Sequence, residues 1–216
     1  MIDFPVVNYW PEFLSVALAH LLAVASPGPD FAIVLRQSIT HGRRTAIWTS
    51  LGIGTAILLH ITYSLLGLGL LIRSSVLWFD LVKYAGAAYI AWLGVQCLRA
   101  KPRTGLSGTT ESGLSSPATR TAFLTGFMTN ALNPKATLFF LSLYVMLVSP
   151  QTPRWLQAAY GGWMAVTTMA WFCLVSVLFT KPEVRNRFLR HGHWIDRALG
   201  VVFLGFALKL AFASLG

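Results

Sequence analysis

Residues 13–39 read FLSVALAHLLAVASPGPDFAIVLRQSI, and residues 121–148 read TAFLTGFMTNALNPKATLFFLSLYVMLV. Each is long enough to cross a bilayer as a helix, which takes about 20 predominantly apolar residues. Each also carries a helix-starting signal near its middle: Ser26-Pro27-Gly28-Pro29-Asp30 in the first, and Asn130-Ala131-Leu132-Asn133-Pro134-Lys135 in the second. Ser or Asn as N-cap followed by Pro at the first helical position is the usual way to begin a helix. The cap side chain bonds a free N–H, and Pro has none to leave unpaired. The same prolines deny an amide hydrogen to carbonyls one turn earlier, those of Ala23, Ala25 and Asn130. In lipid, such carbonyls must find water, an ion, a substrate or another helix. A lone transmembrane Pro usually just kinks a packed helix. Two prolines flanking a glycine, matched by a capped break in the second half, point instead to a transport site.

The rest of the chain suits this reading. Of its 216 residues 55% are hydrophobic and 11% charged, against roughly 45–50% and about 25% in soluble domains. Apolar runs predict six transmembrane helices: Phe13 to Ile39, Ala46 to Ile72, Val76 to Leu98, Thr121 to Val148, Trp155 to Phe179 and Trp194 to Ser214. The fold class expected is an all-α integral membrane protein, a single transmembrane domain over residues 1–216. No Lys or Arg precedes Arg36, so a cleaved signal peptide with its basic start is not expected. Cys97 and Cys173 lie inside apolar runs, without the spacing of a disulfide framework or metal site. No cofactor is implied.

A net charge of +10 raises nucleic acid as a partner. The basic residues, however, cluster between the apolar runs: 12 of the 17 lie in or beside the loops after helices 1, 3 and 5. The positive-inside rule makes those loops cytoplasmic, puts both termini outside, and removes the case for nucleic acid. Residues 100–119 are rich in Ser, Thr, Gly and Pro and read as a linker between halves at about 10–99 and 120–214. Pro29-Asp30 aligns with Pro134-Lys135, and Lys83, Gly86 and Tyr89 align with Arg197, Gly200 and Phe203. Three helices per half orient the copies oppositely in the membrane, a three-plus-three inverted repeat with helices 1 and 4 interrupted near the bilayer midplane.

Of seven acids only Asp30 falls deep within an expected span, and Lys135 is its basic counterpart. An ion at the bilayer centre costs at least about 2.5–3.5 kcal/mol, so such groups face protein or water and have partners. Asp30 suits the positive end of its half-helix, whereas Lys135 does not suit its own and calls for an anion. That anion is either Asp30 or a substrate carboxylate. His20 and His60 are expected to hydrogen-bond neighbours, with proton relay the less favoured role. Asp80 with Lys83, and Asp196 with Arg197, read as interfacial anchors near helix ends, and Lys209 as a snorkelling side chain. Ala85-Gly86-Ala87-Ala88 and Gly161-Gly162 read as close-packing surfaces. Trp10, Trp78, Trp155 and Trp194 suit an aromatic belt.

The Ser26-Pro27-Gly28-Pro29-Asp30 block, the Asn133-Pro134-Lys135-Ala136 block and a length near 200 residues resemble the homoserine/threonine efflux (RhtB) family of the LysE superfamily. The likeness covers nearly the whole chain, and residues 154–180 and 194–210 look most like threonine exporters. The resemblance implies a bacterial inner-membrane exporter of a small neutral amino acid, such as threonine or homoserine, driven by proton antiport. It also implies that Asp30, Asn133 and Lys135 belong to the transport pathway. The residues before Trp10 look longer than the usual start. The expected substrate path comprises Ser26, Pro27, Gly28, Pro29, Asp30, Asn130, Asn133, Pro134 and Lys135, and the expected partners are the amino acid, protons and the lipid bilayer. Homo-oligomerisation is left open. Export of another amino acid or an inorganic ion is the alternative, although few buried acids and no Met or Cys cluster argue against divalent metals. An embedded enzyme lacks any HExxH, nucleophile elbow or paired carboxylates. A membrane scaffold gives no reason for two helix breaks of opposite charge.

Overall fold

Apolar surroundings offer the backbone no water, so each segment must pair its own N–H and C=O groups, and an α-helix does so locally. The computed structural model describes residues 8–26, 28–74, 76–101 and 117–211, which form eight α-helices and, among the described residues, no strand. These are α1 (Trp10–Ala25), α2 (Pro29–Thr40), α3 (Gly42–Ser74), α4 (Val76–Leu98), α5 (Thr119–Ala131), α6 (Pro134–Leu147), α7 (Arg154–Leu178) and α8 (Pro182–Ala211). Pro27 and most of the expected linker, residues 102–116, lie outside the described residues. So do the side chains of Trp78, Asp80, Lys83 and Lys209.

The first expected span is the pair α1 and α2, set at 51° to each other, and the fourth is α5 and α6. The second, third and fifth correspond to α3, α4 and α7. The sixth begins 12 residues before the expected Trp194, since α8 starts at Pro182 with Glu183 in its first turn. Pro at a helix start and an acid beside the N-terminal dipole initiate a helix within what reads as a charged loop. Among the described residues, α3 (over Gly42–Gly67) and α7 are each long and apolar enough to cross a membrane, as is the α1–α2 pair taken together.

Burial is distributed as lipid requires. Leu14, Leu18, Val166, Val201 and Leu208 face outward, while His20, Thr49, Ser50, His60, Asn130, Thr168 and Ser176 are buried. Apolar side chains cost nothing against lipid, whereas polar ones there need protein partners. Ser50 Oγ meets Ser176 Oγ at 2.9 Å, tying α3 to α7, and Thr49 Oγ1 donates to Ala122 O of α5 at 3.1 Å. Glu12 accepts from Ser149 N at 2.8 Å and Thr152 Oγ1 at 2.9 Å, fastening the start of α1 to the α6–α7 turn. Trp10, Trp155 and Trp194 are exposed, as an aromatic belt needs.

Two apolar clusters position the site. One gathers Val16, Ile57, Phe140, Tyr144 and Met164 from α1, α3, α6 and α7, and the other gathers Phe31, Val34, Ile53, Phe172 and Phe179 from α2, α3 and α7 with the residue that follows it. In a third, α4 and α8 meet through Ala87, Ile90, Leu199, Phe203 and Ala207.

The helix crossings depend on absent side chains. A Cβ on Gly52 would lie 2.0 Å from Phe123 O, and one on Gly126 would lie 1.9 Å from Thr49 O. The α3 and α5 backbones are therefore in direct contact, the closest approach that small residues permit. Of the expected Gly161-Gly162 surface, Gly161 packs on Ile61 whereas Gly162 has open space around it. Replacing Gly52 or Gly126 with Ala must push two backbones apart, and each is expected to destabilise the protein by about 1–3 kcal/mol. Gly162→Ala should be neutral or slightly stabilising in the same thermal-unfolding measurement in detergent.

Candidate functional site

Both helix breaks leave backbone groups that must be re-paired, and the structure brings the two breaks together. At the second, Asn133 caps α6: its Oδ1 accepts from Lys135 N at 2.9 Å, with Pro134 at the first helical position. The carbonyl of Asn130, denied its partner by Pro134, accepts from Asn133 N at 2.9 Å and faces His60 Nε2 at 3.0 Å. At the first break the expected cap is not the one formed. Gly28, not Ser26, occupies the N-cap position of α2, and Ser26 closes α1, its N–H returning to Ala23 O at 3.2 Å. The serine side chain is thereby released for another task.

That task is to receive Lys135. The ammonium Nζ donates to Ser26 O at 3.2 Å and Ser26 Oγ at 3.1 Å. Lys135 starts α6, where the local dipole disfavours a cation, but its side chain carries the charge to the carbonyl end of α1, where the dipole favours one. The chain passes close over Gly28: a Cβ there would lie 3.3 Å from Nζ. Lys135 also interacts electrostatically with Asp30, Asp196 and Cys97.

Asp30, in the first turn of α2, accepts from both asparagines of the other break through a single oxygen. Oδ2 receives Asn130 Nδ2 at 2.9 Å and Asn133 Nδ2 at 3.2 Å. Oδ1 is buried and has no hydrogen-bond partner among the described residues. Behind Asn130 stands His60 of α3, whose Nε2 is 3.1 Å from Asn130 Oδ1 and whose Nδ1 contacts the Tyr63 hydroxyl. Both Asn130 oxygens only accept, so Nε2 carries the imidazole proton and Nδ1 accepts from Tyr63. His20 Nε2 likewise meets Thr168 Oγ1 at 3.0 Å. Both histidines bond their neighbours, as expected.

These groups form a wall between two cavities. One, of about 50 Å³, is lined by His20, Ser26, Asp30, Asn130 and Lys135 among others. It has room for a water molecule or two and no more. The other, of about 400 Å³, lies on the opposite side and is lined by Gly28, Pro29, Tyr89, Gln96, Lys135 and Asp196 among others. Gly28, Asn133 and Lys135 contribute to both. The described residues of the expected path thus converge from four helices.

Asp196 corrects the sequence reading. Its side chain does not reach out to an interface: it is 3% exposed and turned into the protein, midway along α8. Gly200 follows one turn later, where a Cβ would lie 2.7 Å from Gly94 O, so the Asp196 face of α8 is pressed against α4. The usable signal was the stripe Asp196, Leu199, Phe203 and Ala207 at helical spacing, all buried.

An apolar-surfaced helical bundle with charged groups gathered at two helix breaks has the architecture of a membrane translocator, not of an enzyme. The chain belongs to the LysE type translocator family, whose model matches residues 21–214. It is 34% identical over 208 residues to the threonine efflux protein of Escherichia coli K12, covering 92% of this chain and 96% of that one. It is 32% identical over 200 residues to the threonine efflux protein of Salmonella typhimurium, with the same coverage. No solved structure matches the chain.

Asn133 serves the site twice, as cap of α6 and as donor to Asp30. Asn133→Ala is expected to cost about 1–2 kcal/mol, the usual loss of a cap, read as a lowered unfolding midpoint in detergent. Asn133→Asp keeps the cap acceptor but sets a second carboxylate against Asp30, so it should not restore stability.

Proposed function

We infer that this protein exports a small neutral amino acid, such as threonine or homoserine, from the cytoplasm across the bacterial inner membrane in exchange for protons. The observation that carries the reading is the meeting of the two helix breaks, with Asp30 on one half-helix start and Lys135 on the other, joined through Asn130, Asn133 and Ser26. The threonine efflux relatives support the substrate class, and the family supports transport.

In this mechanism the substrate carboxylate is drawn to Lys135, exchanging with Ser26 for its ammonium. Asp30 carries the proton. Its Oδ2 is held by two amide donors, so a proton on Oδ1 comes and goes without breaking either bond. A carboxyl in such surroundings changes its ionisation as water or a cation arrives and leaves. Because the two asparagines belong to the second break and the aspartate to the first, the charge on Asp30 bears directly on how tightly the breaks hold each other.

Alternating access follows if the halves rock about the shared wall. In an inverted three-plus-three repeat a pseudo-twofold axis relates α3 to α7 and α4 to α8, and each of these pairs packs together, although α3 also packs closely on α5 without an equal contact of α7 on α1. The larger cavity reaches Gln96 and Ala100 beside Arg99 and Lys101. By the positive-inside rule that end is the cytoplasmic one in this reading.

Inside-out vesicles turn export into accumulation and supply the test. Labelled threonine or homoserine should accumulate when a proton gradient is imposed and not when it is collapsed. Asp30→Asn should abolish the gradient-driven component while the protein still inserts; gradient-dependent accumulation in that variant would refute the proton role. Lys135→Met should abolish transport of every amino acid tested. In the orientation proposed, a tag on either terminus should be cleaved by protease added to spheroplasts, and protection of the tags would reverse it.

A further inference from the structure

The mechanism above finds a partner for a substrate carboxylate and leaves its ammonium without one. Asp30 is poorly placed for that role: the small cavity that it lines, of about 50 Å³, has no space for an amino acid. The larger cavity offers another arrangement. At about 400 Å³ it lies within the roughly 300–1,000 Å³ of small-molecule sites. Among the described residues its wall holds one basic and one acidic side chain, Lys135 from α6 and Asp196 from α8, which interact electrostatically. The same wall carries Gln96 and Cys97 near the end of α4, and Tyr89 and Trp92 earlier on that helix.

We propose that Lys135 and Asp196 form the two ends of a zwitterion site in this cavity, Lys135 binding the α-carboxylate and Asp196 the α-ammonium of the exported amino acid. A buried acid in an apolar bundle is costly to keep and marks a functional pathway. The two side chains attract each other across the cavity wall, and an amino acid bound there offers each an opposite charge. Binding therefore desolvates no uncompensated ion, the condition under which buried charge pairs favour association. The side chain of the substrate then faces Tyr89, Trp92 and Gln96, a wall of mixed apolar and hydrogen-bonding character suited to a short hydroxylated chain. Asp30, on the far side of Lys135, remains available for the proton, so substrate and proton act on one lysine from its two sides.

The assignment rests on the amino-acid export reading, and the test separates the two. Cys97 lines the cavity and is part-exposed, so its alkylation reports occupancy in the full-length protein in detergent. A Cys173→Ser background removes the other cysteine, which lies on α7. L-threonine should slow Cys97 alkylation. Its deaminated analogue 3-hydroxybutyrate and its methyl ester should each be weaker by roughly tenfold or more, the loss expected for one charge-assisted hydrogen bond. In Asp196→Asn the gap between threonine and 3-hydroxybutyrate should vanish while the methyl ester stays weak; Lys135→Gln should show the reverse. Asp196→Glu should retain part of the ammonium preference, which guards against a misfolded Asn variant. Full ammonium preference in Asp196→Asn, or unprotected Cys97 in a protein whose vesicles accumulate threonine, would overturn the zwitterion site and leave export standing. Vesicles that accumulate no α-amino acid would overturn the export reading and this site with it.

Discussion

The bond from the Lys135 ammonium to the carbonyl and hydroxyl of Ser26 is the interaction on which the central architecture depends. A helix interrupted inside an apolar bundle exposes carbonyls with no water to satisfy them. Here the interruption of the first half is satisfied by a cation from the second. The cation, misplaced at the start of its own half-helix, is carried to the negative end of another. Each break is thus a solution to the other, and neither half is electrostatically complete alone.

Around that bond the usual arrangement of a water-soluble protein is inverted. Apolar side chains cover the outside, while hydroxyls, imidazoles and amides bridge helices inside. Glycines at Gly52 with Gly126, and at Gly94 with Gly200, bring backbones into contact and keep the polar groups within bonding reach. The same small-residue crossings leave surfaces without interdigitating side chains.

Much of this was legible in the chain. The prolines at 29 and 134 and the asparagine at 133 announce helix starts, because capping is a local exchange of bonds within four residues, and the helices begin there. Asp30 and Lys135 stand out as ions in apolar runs for an equally local reason. The serine at 26 misled as a cap: Gly28 took that position, and the Ser26 hydroxyl answered a lysine 109 residues away. Asp196 was misjudged because its neighbours are charged and the start of α8 looks like a loop. Helical periodicity alone does not say which stripe of a half-polar helix turns inward.

Sequence by itself determined the solvent, the helical class, the two interruptions and the identity of the ions within them. These follow from hydropathy and from bonds between near neighbours. Tertiary structure decided which carbonyl Lys135 meets, that one oxygen of Asp30 serves both asparagines, and that Asp196 shares a cavity with Lys135. Those outcomes depend on how α4 and α8 approach through Gly94 and Gly200, and on how the two breaks are brought level, relations between residues far apart in the chain that no local preference encodes.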